Sequence, residues 1–249
     1  RRQQEAARAL GLKSIEQDVD LGARVKLHLV LVPAGQFAIG SPAGEEDRQW
    51  DEDQNAVSIE KPFLIGKYEV TQEQWQAIMG NNPARFAYTR NPVDYVSWDD
   101  CRLFLSKLNE KMPGRAFRLP TEAEWEWACR AGAATRFCFG HSEAELDDYA
   151  WHWSNSSLPT HPVGEKKANA WGIHDMHGNV WEWCASPYSR TYDGSECKGA
   201  EAPARSRVLR GGSRSNPWYY CRSADRFEDV PPTGLQWVGF RVVCSAGTF

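Results

Sequence analysis

Arg207-Val-Leu-Arg-Gly-Gly-Ser213, Cys221-Arg-Ser-Ala-Asp-Arg226 and Gly239-Phe-Arg-Val-Val243 are three arginine-bearing blocks near the C-terminus. Asp175-Met-His-Gly-Asn-Val-Trp-Glu-Trp183 lies upstream of them. The intervals between the blocks have a different character. Residues 214–220 read Arg-Ser-Asn-Pro-Trp-Tyr-Tyr, 227–230 read Phe-Glu-Asp-Val, and 235–237 read Leu-Gln-Trp. Aromatic, amide and charged groups of this kind suit a recognition surface, because rigid rings give contact area at low entropic cost and short polar groups adapt their hydrogen bonds. The alternative is that Trp218 and Trp237 belong to the core and the rest is ordinary loop.

Working outward, three helices announce themselves by their caps. Thr71-Gln-Glu-Gln74 is a capping box ahead of Trp75, Ile78 and Met79, with Gly80 as its stop. Ser97-Trp-Asp-Asp100 opens an amphipathic run through Leu103, Phe104, Leu105 and Leu108, and Thr121-Glu-Ala-Glu124 opens a third helix carrying Trp125, Trp127 and Cys129. Short strands are expected at 25–32, 36–39, 63–70, 207–210, 219–224 and 239–243, with Gly- and Pro-containing turns between them. Residues 139–204 show little periodicity. So much irregular chain needs buried aromatic anchors or an ion to hold it. The pattern is α+β with antiparallel strands. The basic, Ala-rich start, 1–12, reads as a helical stalk, so 1–24 are expected as N-terminal helix and linker and 25–249 as one domain.

Composition narrows the function. A chain of 249 residues, 41% hydrophobic, can bury one sizeable core. Its twelve Trp either fill that core or line a surface. The net charge of −4 argues against a nucleic-acid partner, which needs clustered basic excess. No apolar run is long enough for a transmembrane helix. The first residue is not Met and no signal sequence is visible, so the compartment cannot be read from this end. Seven cysteines, none in a Cys-x-x-Cys pair, disfavour a zinc ribbon or thioredoxin-type site.

Taken with Pro33-Ala-Gly-Gln-Phe37, Tyr68-Glu-Val-Thr-Gln72, Asn91-Pro-Val93 and Arg118-Leu-Pro-Thr-Glu-Ala-Glu-Trp125, the blocks resemble the formylglycine-generating (sulfatase-modifying factor) family over residues 32–244. The resemblance implies a loop-rich, C-type-lectin-like fold. It also implies a calcium ion held by the side chains of Asp175 and Glu182 and the carbonyls of Gly178 and Val180, hard oxygen donors suited to that ion. A turn held by Trp181 and Trp183 without an ion is the competing reading. A second family calcium site needs an Asn where Trp151 stands, and is expected to be lost. In the family the cysteine matching Cys129 bonds one at the position of Ser223; Cys221, two positions earlier, would be on the same strand face, making a Cys129–Cys221 bridge conceivable.

Catalytic relatives carry two cysteines after Gly-Gly-Ser that bind copper. The interval 214–220 has no sulfur, so no copper is expected, because a soft copper(I) ion selects paired soft ligands. Cys221 is the one sulfur near the groove that Ser213 and Trp181 would line, and a structural thiol is favoured over a reactive one. His174 and His177 are spaced i, i+3 in a loop, a weak case for the iron of some relatives. His141, His152 and His161 are expected to face solvent.

The alternation of frame and divergent interval looks like the variable proteins of diversity-generating retroelements. The leading expectation is a noncatalytic binder using Arg214, Ser215, Asn216, Trp218, Tyr219, Phe227, Glu228, Asp229, Leu235, Gln236 and Trp237. Its partner would be a protein or other macromolecule, with Glu228 and Asp229 favouring a basic or donor group. Display on a cell surface follows from the analogy alone. The alternative is an oxidoreductase acting on a cysteine or another substrate group, and a third reading is an adaptor attached through the N-terminal helix.

Overall fold

The structure, a computed structural model, describes residues 1–157 and 159–248. Its central sheet has the order β1-β2-β5-β10, with β1 at Glu16–Gly22, β2 at Val25–Val32, β5 at Phe63–Gly66 and β10 at Val243–Ser245, all antiparallel. Side chains alternate across a strand, and β2 uses both faces. Leu27, Leu29 and Leu31 enter one apolar cluster with Trp75, Phe104 and Phe240, while Val30 and Val32 enter another with Trp125, Trp127 and Trp171. The sheet therefore separates two cores. In the first, Trp75 stacks on Phe104 at 5.4 Å, and Phe240 meets Phe104 edge-on at 5.3 Å.

Three helices cover the sheet: α2 (Gln72–Met79), α3 (Trp98–Lys111) and α4 (Glu122–Arg130). Each begins with the reciprocal capping box expected of its Thr or Ser, satisfying amide donors that the first turn leaves open. Two further α-helices, α1 (Arg2–Ala9) and the single turn α5 (Leu146–Tyr149), are present among the described residues. A hairpin of β3 (Gly35–Ile39) and β4 (Asn55–Ile59) lies apart from the central sheet. The second large sheet has the order β8-β7-β6-β9, with β6 at Trp181–Pro187, β7 at Arg207–Arg210, β8 at Arg226–Asp229 and β9 at Val238–Gly239. The β6–β9 pair is parallel, a departure from the all-antiparallel expectation.

Five further expectations are corrected. Residues 1–24 are not a stalk and linker: Ala7 is buried, Gln3 Nε2 donates to the carbonyls of Leu31 and Trp171, and β1 pairs along β2. The strand expected at 219–224 is a 3₁₀ turn at Trp218–Cys221, and pairing resumes only at β8. The strand expected at 63–70 ends at Gly66, and the one expected at 239–243 is split between β9 and β10. Residues 139–204 contain β6, whose first six residues are all buried, so no polar alternation marks it. The rest of that segment is tied down by single side chains. Asn169 Nδ2 donates to the carbonyls of Ala128 and Cys129 at the end of α4, and its Oδ1 accepts from the amides of Trp171 and Ile173.

The arginines of the C-terminal blocks are buried ion-pair partners. Arg226 Nε and one terminal nitrogen each donate to Glu122 at 2.8 Å, Arg222 reaches Glu52 at 2.6 and 2.7 Å, and Arg210 donates to Glu126. All these side chains are inaccessible to solvent. Removing one member strands a buried charge, which costs about 3–5 kcal/mol. Arg226→Met should therefore lower unfolding free energy by more than about 3 kcal/mol, whereas Arg1→Ala, breaking an exposed pair with Glu5, should change it by less than about 0.5 kcal/mol. Urea denaturation of the two variants compares these values, and a loss under about 1 kcal/mol for Arg226→Met would show the buried pair to be dispensable.

Candidate functional site

The divergent intervals hang from this arginine frame. β7 leads through Gly211 and Gly212, at φ 100° and 70°, into the 214–220 interval. A Cβ on Gly212 would lie 2.7 Å from the Tyr220 carbonyl oxygen, so the chain can double back here only with glycine. β8 carries the 227–230 interval. The 235–237 interval returns to β9, which is held against β6 by Trp181 N–H donating to the Trp237 carbonyl at 2.8 Å.

Together they enclose an open cleft of about 350 Å³. Trp181, Leu209, Tyr220, Phe227, Leu235 and Trp237 supply most of its apolar wall. Phe227 is tilted against Trp181 with ring centroids 5.8 Å apart, and Tyr220 meets Trp181 edge-on at 6.3 Å. A neutral polar strip crosses the floor. Asn216 Oδ1 accepts from Trp181 Nε1 at 2.9 Å and from Ser213 Oγ at 2.5 Å, and Ser213 Oγ lies 2.9 Å from Ser215 Oγ. Gln236 and Val238 complete the lining. Among the described residues that line the cleft there is no Cys, His, Asp, Glu, Lys or Arg.

Of the expected site residues, Ser215, Asn216, Phe227, Leu235, Gln236 and Trp237 line the cleft. Arg214 stands beside it with its guanidinium over the Trp237 ring at 4.8 Å. Trp218 instead packs with the Phe137, Leu146 and Cys221 cluster and under Arg136, 4.5 Å from its ring, and Tyr219 meets Trp218 edge-on. Glu228 accepts from Ser206 Oγ, and Asp229 accepts from Val230 N–H at 2.6 Å; neither carboxylate lines the cleft. Leu209, Tyr220 and Val238 line the cleft without having been expected there, since they sit inside or next to frame blocks. Asp94 supports the far wall. It accepts from the Trp237 amide, and burial pushes its carboxyl up to about 6 despite that bond and the nearby Arg214 charge.

The other candidates disperse. Cys221 is fully buried outside the cleft, and desolvation drives its thiol well above the ordinary range, opposite to what a nucleophile needs. All seven cysteines are unbonded. Cys129 Sγ faces Ser223 Oγ at 3.7 Å, and the bridge to Cys221 that the sequence left open is not formed. His177 Nδ1 lies 2.7 Å from the Cys221 carbonyl and Nε2 accepts from the Cys138 amide, an arrangement that fits one neutral tautomer. His174 is bonded to the Lys166 carbonyl and packs on Tyr68, so the two histidines serve different neighbours. His152 and His161 are buried, contrary to expectation. His152 bonds Asp147, and His161 stacks on Trp151 at 3.7 Å; burial, with Lys166 and Arg214, lowers His161 to about 4.

The loop expected to hold calcium is electrostatically unusual. Glu182 receives two bonds from Arg241, at 2.5 and 2.6 Å, and one from Trp125 Nε1 at 2.7 Å. Asp175 accepts from the Gly164 amide at 2.7 Å, and Glu69 accepts from Asn179 Nδ2 and the Val180 amide. Three buried carboxylates thus share one guanidinium. Burial first, then the neighbouring charges, raises Glu69 well above the usual range, and burial lifts Asp175 to about 6. Among the described residues no three His, Cys, Asp or Glu side chains converge on one point, so an ion there would depend on backbone oxygens such as those of Gly178 and Val180. Hard oxygen donors, and carboxyl groups that outnumber the one guanidinium beside them, fit a calcium ion in kind.

Comparison with known proteins agrees with the blocks from which the sequence was read. The Sulfatase-modifying factor enzyme 1-like domain model matches residues 20–246. The formylglycine-generating enzyme of Streptomyces coelicolor is 29% identical over 244 residues, covering 88% of this chain and 68% of that protein. Among solved structures, Treponema denticola variable protein 1 superposes with a TM-score of 0.82 at 30% identity, covering 93% of this chain and 99% of that one. PvdO from Pseudomonas aeruginosa gives 0.83 at 29% identity, covering 94% and 99%. The loop-rich, C-type-lectin-like α+β fold is the one expected, and the chain belongs to the sulfatase-modifying factor (formylglycine-generating enzyme) family.

Proposed function

We propose that this protein is a noncatalytic binder that holds a protein or other macromolecular ligand in the cleft between its C-terminal intervals, on a surface of the kind a diversity-generating retroelement varies. One observation carries the reading. The cleft is walled largely by the divergent intervals, while the arginines beside them are locked in buried ion pairs. Such a layout lets the wall change without disturbing the frame. The high similarity to a structure called a variable protein supports it. The oxidoreductase alternative needs a reactive group at the cleft, and Cys221 lies buried outside it.

The lining chemistry favours an apolar or aromatic side chain offering a neutral hydrogen-bonding edge to Ser213, Ser215 and Gln236. The calcium proposed at Asp175, Gly178, Val180 and Glu182 would be structural, neutralising buried carboxylates behind the cleft.

Wall and floor residues should separate in experiment. Replacing Phe227, Leu235 and Gln236 together by Ala should weaken peptides selected on the wild-type protein from a displayed random library by more than about tenfold, while unfolding free energy changes by less than about 1 kcal/mol. Asn216→Ala should instead cost about 1–3 kcal/mol, because Trp181 Nε1 and Ser213 lose their acceptor. Unfolding by the triple wall variant would assign those residues to the core. Diversification itself is tested in the genome, where a template copy differing mainly at adenines beside a reverse transcriptase gene is the expected finding.

Asp94 gives a pH dependence. Its folded value of about 6 exceeds the unfolded value of about 3.9, so the folded chain binds more protons between them. Its contribution to stability therefore falls as pH rises from about 4 to about 6. Melting temperatures of wild type and Asp94→Asn should diverge across that window, the variant gaining with rising pH.

Calcium at millimolar concentration should raise the melting temperature of the wild-type protein at pH 7 and leave Asp175→Asn unmoved. In chelator, Asp175→Asn should melt higher than wild type, because it removes one of the crowded charges. Identical calcium responses in both proteins would place the ion elsewhere.

A further inference from the structure

A second cavity, of about 280 Å³, is lined by residues from four separate parts of the chain and shares none with the cleft. Arg24 and Lys26 come from the β1–β2 hairpin, Arg90 from the loop after α2, and His28 and Tyr68 from β2 and the segment after β5. The cavity also contains one acid, Glu73. Lys26 and His28 are both bonded to Asp18, at 3.1 and 2.7 Å. The guanidinium groups of Arg24 and Arg90 have no hydrogen bond or ion pair among the described residues. In a chain of net charge −4, two exposed arginines far apart in sequence, neither guanidinium with a protein partner among the described residues, line this one cavity.

The backbone beneath Arg24 strengthens the case. The β1–β2 hairpin turns on Ala23 and Arg24, at φ 50° and 66°. Two successive left-handed residues suit Asn-Gly or Gly-Gly, and other side chains there cost about 1–3 kcal/mol each. Arginine thus stands where glycine would suit the turn better, and the position it occupies lines this cavity.

We propose that this cavity is a binding site for a tetrahedral oxyanion, a phosphate or sulfate group, held by the paired guanidinium forks of Arg24 and Arg90 with Lys26 adding charge. Guanidinium groups match such oxygens two at a time. The amides at the start of α2 do not contribute. Those of Gln72 and Glu73 already donate to the carbonyls of Asn91 and Thr89, and that of Gln74 to its cap, Thr71. The site is therefore built from side chains.

The test is thermal denaturation of the full chain with inorganic phosphate against sodium chloride at equal ionic strength, on wild type and on an Arg24→Gly, Arg90→Ala double variant. Gly relieves the strained turn, so the variant should fold at least as well as wild type. Phosphate near 20 mM should raise the wild-type melting temperature by about 3–5 °C, as for a ligand at roughly ten times its Kd, and should not move the variant. Equal shifts in both proteins, or an equal shift with chloride, would overturn the proposal. Sedimentation with phosphatidylglycerol vesicles identifies the source of the group. Binding that phosphate competes away assigns it to a lipid headgroup, and a phosphate shift without vesicle binding assigns it to a soluble molecule.

Discussion

Buried guanidinium–carboxylate pairing is the constraint on which the rest of the molecule depends. Arg210, Arg222, Arg226 and Arg241 leave the C-terminal blocks and meet Glu126, Glu52, Glu122 and Glu182, on α4, the loop before β4 and β6. Burying these charges singly would cost several kcal/mol apiece, so each arginine has one acceptable position. The planar fork of arginine fixes orientation as well as distance, which lysine would not do. Chain that would otherwise be free loop is thereby registered against a helix and two sheets.

That rigidity is what allows the intervals to differ in character from the blocks. Glu122 and Glu126 are one helical turn apart on α4 and hold Arg226 and Arg210, so β7 and β8 are fixed from the same helix face. Phe227 follows Arg226 directly and half its surface is exposed, at 49%. Ser213 Oγ, by contrast, donates to Asn216 Oδ1, which also accepts from Trp181 Nε1, so the cleft floor is tied to the frame. Binding chemistry and folding chemistry lie on neighbouring residues with little shared energy.

The two cavities differ in the same terms. The cleft is walled by rings and neutral amides and favours apolar contact with a few oriented hydrogen bonds. The cavity at the β1–β2 hairpin is walled by cations and offers little apolar surface beyond Tyr68 and Val163. Seven of the twelve Trp are buried, and most of the remainder stand near the cleft or on the surface, so the high Trp content serves packing first.

The sequence by itself determined the helices, whose capping boxes are local and need only residues three apart, and the strands 25–32 and 207–210, whose apolar or framed pattern is self-contained. It also determined the family and six of the seven interval residues that reach the cleft. Tertiary structure alone decided the rest. β6 is buried along its first six residues and so shows no alternation, residues 219–224 turn because Arg222 is drawn to Glu52, and α1 docks through Gln3 to carbonyls far along the chain. Glu228 and Asp229 are kept out of the cleft lining by their strand position, and Arg24 and Arg90, 66 positions apart, line one cavity. Long-range charge pairing and burial made these choices, and neither leaves a periodic trace in the local sequence.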